Sequence, residues 1–163
     1  MASVPLSPDS CFQDLPPAAI DVARGVTRLF CRQNRFVMCE VPLPNGRRAD
    51  LMGLSEKGEI VIVEIKVARG DLLGDAKWTD YLDYCDRFYW AVTPELVPLL
   101  DEERFAPDRA GLIVADRYDA ALVREAAEEK MAPARRKAET LRFTRAAARR
   151  LSAQIDPSLG ASQ

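Results

Sequence analysis

The chain predicts an α/β domain with elements in the order αβββαβ, and three patterns carry that expectation. Behind Pro16-Pro17, the residues Ile20, Val22, Val26, Leu29 and Phe30 recur at spacings near three and four, which gives one apolar face to a helix over roughly 18–33. The run Glu59-Ile60-Val61-Ile62-Val63-Glu64-Ile65-Lys66 is apolar on both of its alternating faces, the mark of a strand buried at the centre of a sheet. A helical segment from about Gly74 to Cys85 then leads into the β-prone run Phe88-Tyr89-Trp90-Ala91-Val92.

The remaining elements follow in order. Residues 1–16 hold several Pro and Ser without periodicity and read as a flexible arm. After the first helix, Arg35 to Val41 is β-prone, and Pro42-Leu43-Pro44-Asn45-Gly46 marks a turn. Ala49 to Gly53 is the next strand, and Ser55-Glu56-Lys57-Gly58 turns the chain into Glu59 to Lys66, so a short meander is implied. Past Val92, Pro94 and Pro98 bracket a helical turn. Gly111 to Ala115 and Ala120 to Val123 form a hairpin about Asp116-Arg117-Tyr118-Asp119, and Pro133 opens the last helix. Residues 17–155 make a single domain, residues 156–163 a flexible tail, and there are no internal repeats.

At 163 residues and 18.2 kDa, with 48% hydrophobic residues, the chain has enough apolar material for one core and too much for a disordered protein. No stretch reaches the length of a membrane span, and the start lacks a basic region followed by an apolar one, so a cytoplasmic protein without membrane partners is expected. Cys11, Cys31, Cys39 and Cys85 make no CxxC spacing and read as small buried thiols. The absence of histidine removes Ser-His-Asp and Cys-His nucleophilic systems and imidazole-based metal sites, leaving carboxylate chemistry with hard cations. The net charge of −2 gives no general attraction to nucleic acid, so any such contact must be local.

Asp50, Glu64 and Lys66 stand out. By strand alternation Glu64 and Lys66 share a face with Ile60 and Ile62 at the end of the buried strand, and Asp50 belongs to the strand before it. Charges of opposite sign there are costly to desolvate unless they pair with each other or serve a metal and substrate. The two outcomes are an ordinary ion pair at a strand end and a catalytic centre.

The arrangement of Arg48-Ala49-Asp50, the Gly-containing turn and Glu64-Ile65-Lys66 resembles the PD-(D/E)XK nuclease superfamily, with Ala49 where its motif Pro usually stands. The stretch from Gly74-Asp75-Ala76-Lys77-Trp78 to Arg87-Phe88-Tyr89-Trp90, together with Pro133-Ala134-Arg135-Arg136-Lys137, is similar to the MmcB family of bacterial DNA repair proteins over about 18–151. That resemblance implies a restriction-endonuclease-like fold, a mixed sheet flanked by helices with Glu-x-Lys on its third strand. It further implies metal-dependent DNA cleavage in repair, with Asp50 and Glu64 as metal ligands and Lys66 as the catalytic lysine. Mg²⁺, with Mn²⁺ as a substitute, takes one or two carboxylates, so Asp50 and Glu64 suffice with the Ile65 carbonyl completing the protein ligands. Lys66 either lowers the pKa of the attacking water or offsets the transition-state charge, and sequence does not separate the two.

Lys77 and Tyr81, four apart on the expected helix, resemble the Gln-xxx-Tyr element of RecB-type nucleases with Lys in place of Gln. Tyr81 either positions a phosphate or packs the core. In the last helix, Arg135, Arg142, Arg145 and Arg149 fall within an arc of roughly 80°, opposite Leu141, Ala148 and Leu151. That basic face either grips a DNA backbone, through Arg142, Arg145 and Arg149 in particular, or is simply solvated. Asp21 and Glu40 are candidate outer ligands left out of the core site. The partner expected is DNA, with a DNA-repair protein as a further partner. A noncatalytic DNA- or protein-binding accessory of a repair or translesion polymerase complex is the competing function.

Overall fold

Six strands lie in sequential order in one mixed sheet, whose geometry comes from a computed structural model describing residues 15–160. The strands are β1 (Arg35–Pro42), β2 (Arg48–Ser55), β3 (Ile60–Lys66), β4 (Arg87–Val92), β5 (Gly111–Ala115) and β6 (Ala120–Arg124). Pairing is antiparallel for β1–β2–β3, parallel for β3–β4–β5 and antiparallel again for β5–β6. The expected meander and the hairpin at Asp116 to Asp119 are both present. So is the mixed α/β architecture, which is consistent with a restriction-endonuclease-like core. The arm expected at residues 1–16, Cys11 within it and the end of the tail at 161–163 lie largely or wholly outside the described residues.

Alternation along β3 divides the core in two. Val61, Val63 and Ile65 join Tyr89, Ala91 and Ile113 under helix α1 (Pro17–Arg32), which presents Val22, Val26 and Phe30. Ile60 and Ile62 join Phe88, Trp90 and Leu112 on the other face, beneath 3₁₀ segments and the last helix, α3 (Pro133–Ile155). Every residue of β3 is buried, so a polar group on it must be satisfied within the protein. Trp78, Phe88, Trp90 and Phe105 stack edge to face or tilted, with centroids 5.1–5.7 Å apart, as ring quadrupoles favour. The turns that bound β2 use Gly46 and Gly58, both at φ 82°, a conformation that costs glycine nothing.

Two expectations need correction. The helix expected over 74–85 is instead a six-residue α2 (Arg69–Gly74) followed by a 3₁₀ helix, Trp78–Tyr84. Asp75 ends α2 because its carboxylate accepts the Lys77 amide at 3.2 Å, a local turn that competes with helix continuation. In a 3₁₀ helix residues three apart eclipse, so Trp78 and Tyr81 share the buried face while Lys77 is exposed.

The apolar residues of α3 that lie opposite its basic face do not face the core. Leu141 is 45% exposed and Leu151 59%, while Phe143, Glu139 and Ala146 turn inward. The helix runs along edge strand β1, where the Arg150 guanidinium donates to the carbonyls of Cys39 and Glu40. Satisfying those free edge carbonyls requires a polar inner face. The second correction is Cys31, which is exposed, contrary to its reading as a buried thiol, whereas Cys39 and Cys85 are buried.

Buried Asp86 pins the layers together. It accepts the amides of Ile60 at 2.8 Å and Met131 at 3.0 Å and pairs with Arg136, which also donates to the Gly58 carbonyl at 2.8 Å.

Candidate active site

The β2–β3 ladder ends at the pair Leu51–Val63, and beyond it the two strands are joined by side chains. The Asp50 amide donates to Glu64 Oε1 at 3.1 Å, and the Ile65 amide donates to Asp50 Oδ2 at 2.8 Å. Each carboxylate thus accepts a backbone donor left over where the strands part. On the other side of β2 the pair Glu40–Asp50 drops out of the β1–β2 ladder, and Glu40 sits at φ 49°. A left-handed non-glycine residue costs about 1–3 kcal/mol and is a device found beside functional sites.

The carboxylates carry the marks of that crowding. Burial, then the charge of Asp50, pushes the Glu64 pKa up to about 9. Burial also raises the Asp50 carboxyl, against the opposing pull of the Ile65 amide and Lys66. Glu64 therefore keeps a proton near neutral pH, with Asp50 disfavouring its charge.

Lys66 does not pair with Glu64. Its Nζ lies 3.0 Å from Asp75 Oδ2 and 3.4 Å from Asp71 Oδ1. Burial works against its charge, but the hydrogen bond and charge of Asp75 outweigh it and hold its pKa above the ordinary lysine value. The break that ends α2 is thus what brings Asp75 to Lys66. Sequence reasoning missed Asp75 because it carried a regular helix through it, and missed Asp71 because it placed no element at Arg69–Gly74. The Gly74-Asp75 turn signal was the available clue.

Tyr81 stands over the site. Its hydroxyl donates to the Arg48 carbonyl at 3.1 Å and its ring stacks on Phe88 at 6.1 Å. Burial and the neighbouring Glu64 charge push its pKa upward. Packing the core and facing the carboxylates are therefore combined in one side chain.

The other candidate residues are more scattered. Asp21 is on α1, which covers the opposite face of the sheet. Glu40 pairs with Arg48 at 3.4 Å. Arg135 donates to the Asp83 carbonyl and lies over the Tyr84 ring. Arg142, Arg145 and Arg149 line a groove beside β1. Among the described residues no group of three or more Asp, Glu or Cys side chains is placed to hold a metal. A cation here would rest on the Asp50–Glu64 pair and a backbone carbonyl.

Glu64→Gln is expected to stabilise the metal-free protein. Glu64 is raised in the fold above its unfolded value of 4.5, so its contribution is harmless below pH 4.5 and erodes stability as pH climbs toward about 9. Gln keeps the acceptor for the Asp50 amide and carries no charge to bury. At pH 8 the gain should be about 2 kcal/mol, or roughly 4–8 °C in Tm, vanishing near pH 4. Thermal melts at the two pH values check it, and a Tm lowered at pH 8 would mark Glu64 as an ordinary structural group.

The comparisons with known proteins agree with this architecture. The family described as DNA repair protein MmcB-like matches over residues 9–158. The chain belongs to that family. A solved structure of a protein of unknown function from Silicibacter pomeroyi is 45% identical, with a TM-score of 0.78, covering 89% of this MmcB-like chain and 95% of its own. No curated protein matches the chain. The family is named for DNA repair, which suggests an interaction with DNA. Among the described residues no helix is long and apolar enough to cross a membrane.

Proposed function

We propose that this MmcB-like protein is a metal-dependent DNA phosphodiesterase, an endonuclease-like member of the PD-(D/E)XK superfamily acting in bacterial DNA repair in the cytoplasm. The observation that carries the reading is the cross-bonded pair Asp50 and Glu64 at the splayed end of β2–β3, with ammonium-bearing Lys66 two residues on. A buried Glu64 that keeps a proton beside half-buried Asp50 suits a divalent cation in the proton's place, and a hard donor set with a carbonyl suits Mg²⁺ or Mn²⁺. The ion would be held by Asp50, Glu64 and the Ile65 carbonyl. When bound it supplies an activated water and offsets phosphate charge.

The chain's own groups do the rest. In hydrolysis the water oxygen bonds to phosphorus, the P–O ester bond breaks and the departing oxygen takes up a proton. Lys66, kept protonated by Asp75, has no free lone pair at neutral pH, so its role is to offset the charge developing on the phosphate oxygens. Tyr81 positions the Arg48 end of β2 against the site, and exposed Lys77 offers a phosphate contact nearby. Arg142, Arg145 and Arg149 supply charge for the DNA backbone.

Calorimetric titration with Mg²⁺ and Mn²⁺ tests the metal assignment. The wild type should bind, and an Asp50→Ala, Glu64→Ala double variant that remains folded should lose at least tenfold in affinity, as loss of both carboxylates requires. Unchanged affinity removes the site from consideration. One observation favours the competing reading of a noncatalytic accessory to a repair or translesion polymerase: among the described residues no third carboxylate joins Asp50 and Glu64 in a metal-holding group. Wild-type protein that binds DNA but neither binds these ions nor cuts would establish it.

A further inference from the structure

We infer that DNA reaches this site as a single strand lying in the groove between β1 and α3. The inference rests on the proposed DNA-cleaving function and adds the substrate class. The groove holds about 540 Å³ and is lined on its apolar side by Val41, Pro42, Leu141 and Ala146. Arg142, Arg145 and Arg149 supply its charge.

Two of those arginines are not spent on structure. Arg142 lies 3.6 Å from Glu139, but Arg145 and Arg149 make no ion pair or hydrogen bond among the described residues. Arg150, by contrast, is fully engaged with the β1 carbonyls. A helix that commits one arginine to its own sheet and leaves two unpaired beside an apolar channel has charge available for a polyanion.

The groove opens at the right end of the sheet. Val41 and Pro42 pair with Ala49 and Arg48, the residues immediately before Asp50. Two strand spacings, about 10 Å, separate β1 from β3 and Glu64. The layer is shared as well, because Phe143 of α3 packs in one cluster with Val41, Ala49, Ile62 and Tyr81. Arg48, exposed on β2 two residues before Asp50, pairs with Glu40 of β1.

Three features favour one strand over two. A duplex presents phosphates and sugars to a protein surface with its bases stacked inside, so an apolar lining would meet only polar groups and lose by burying them. Unpaired bases offer planar apolar faces to such a lining, and guanidinium planes stack on them while reaching phosphates. The inner end of the site is also recessed, with Glu64 4% and Lys66 8% exposed beside half-buried Asp50. A flexible strand can enter a recess that a duplex, stiff over about 150 base pairs, cannot follow without melting.

The test is fluorescence anisotropy of the full chain in excess EDTA, so that binding is read without cleavage. The probes are a labelled 20-nucleotide oligothymidylate and a blunt mixed-sequence duplex of equal length. The wild type should prefer the single strand by about tenfold or more at 0.15 M salt. An Arg145→Gln, Arg149→Gln variant should lose about tenfold on the single strand. Its slope of log affinity against log salt should flatten by about 1.4, at about 0.7 per phosphate contact. Leu141→Gln, at a half-exposed position, should weaken single-strand binding without changing that slope.

Equal or tighter duplex binding overturns the proposal, as does an arginine variant with the wild-type slope. Wild-type slope together with self-association that the arginine variant abolishes in sedimentation would assign the groove to a second copy and likewise overturn it. Single-strand binding that behaves as expected while no metal supports cleavage would sink the nuclease reading alone. Cleavage without the groove effects would sink only the groove.

Discussion

Asp86→Ala is expected to lower stability by about 3 kcal/mol, roughly 6–12 °C in Tm, without touching the candidate active site. Asp86 is 1% exposed and satisfies two backbone amides from different parts of the chain while pairing with Arg136. Removing it strands the Ile60 and Met131 amides and leaves Arg136 without its partner. The loss falls at the low end of what a broken buried pair costs, because the Arg136 side chain keeps 29% of its surface in water. Urea denaturation checks the magnitude. A double-mutant cycle with Arg136→Ala should show coupling above 1 kcal/mol, since the two groups share one network.

The effect carries a pH signature. Burial works against the Asp86 charge, but the Arg136 hydrogen bond and the two amides outweigh it and hold the carboxyl below its ordinary value of 3.8. A carboxyl depressed in the fold contributes stability above its unfolded value and loses it as pH falls through the folded one. The gap between wild type and Asp86→Ala should therefore be constant from pH 5 to 7 and narrow only below about pH 4. A gap that narrows between pH 7 and 5 would point to a different titrating group.

How far the sequence discloses this molecule depends on the range of the forces involved. Strand β3 and the shared face of Glu64 and Lys66 are legible because alternation along a strand is local geometry. Asp50 is legible only as a carboxylate on the adjoining strand. That it would accept the Ile65 amide depends on where the ladder stops. Lys66 is read correctly as a buried charge, but its partner Asp75 is not, because a side chain that breaks a helix by bonding the Lys77 amide competes with an otherwise helical pattern. Helix α3 is legible in its position, but not in which face it buries. Apolarity selects Leu141 and Leu151, whereas the edge carbonyls of β1 select Arg150. Asp86 gives no local signal at all, because its partners come from three separate segments.

Lys66→Met should reduce cleavage by about 10²–10³-fold while leaving single-strand affinity within about twofold, provided metal-dependent cleavage is observed in the wild type. Methionine fills the volume of the lysine stem, so the buried end of β3 keeps its packing. What disappears is one positive charge aimed at the place where phosphate charge develops, a loss felt in the transition state and not in overall binding. Asp75→Asn provides the discriminating control. It leaves the ammonium in place with only Asp71, at 3.4 Å, and removes the group that does most to raise the Lys66 pKa. The ammonium should then deprotonate at lower pH, so the alkaline limb of the cleavage profile should move to lower pH with a smaller loss at neutrality. Single-turnover cleavage of labelled single strands, across pH 6–10 and at saturating Mg²⁺, reads both effects. If Lys66→Met cuts as fast as the wild type, the lysine is a structural partner of Asp75 and the charge-offsetting role is wrong. If Asp75→Asn loses activity equally at every pH, Asp75 acts by holding the fold of the α2 turn and not by keeping Lys66 charged.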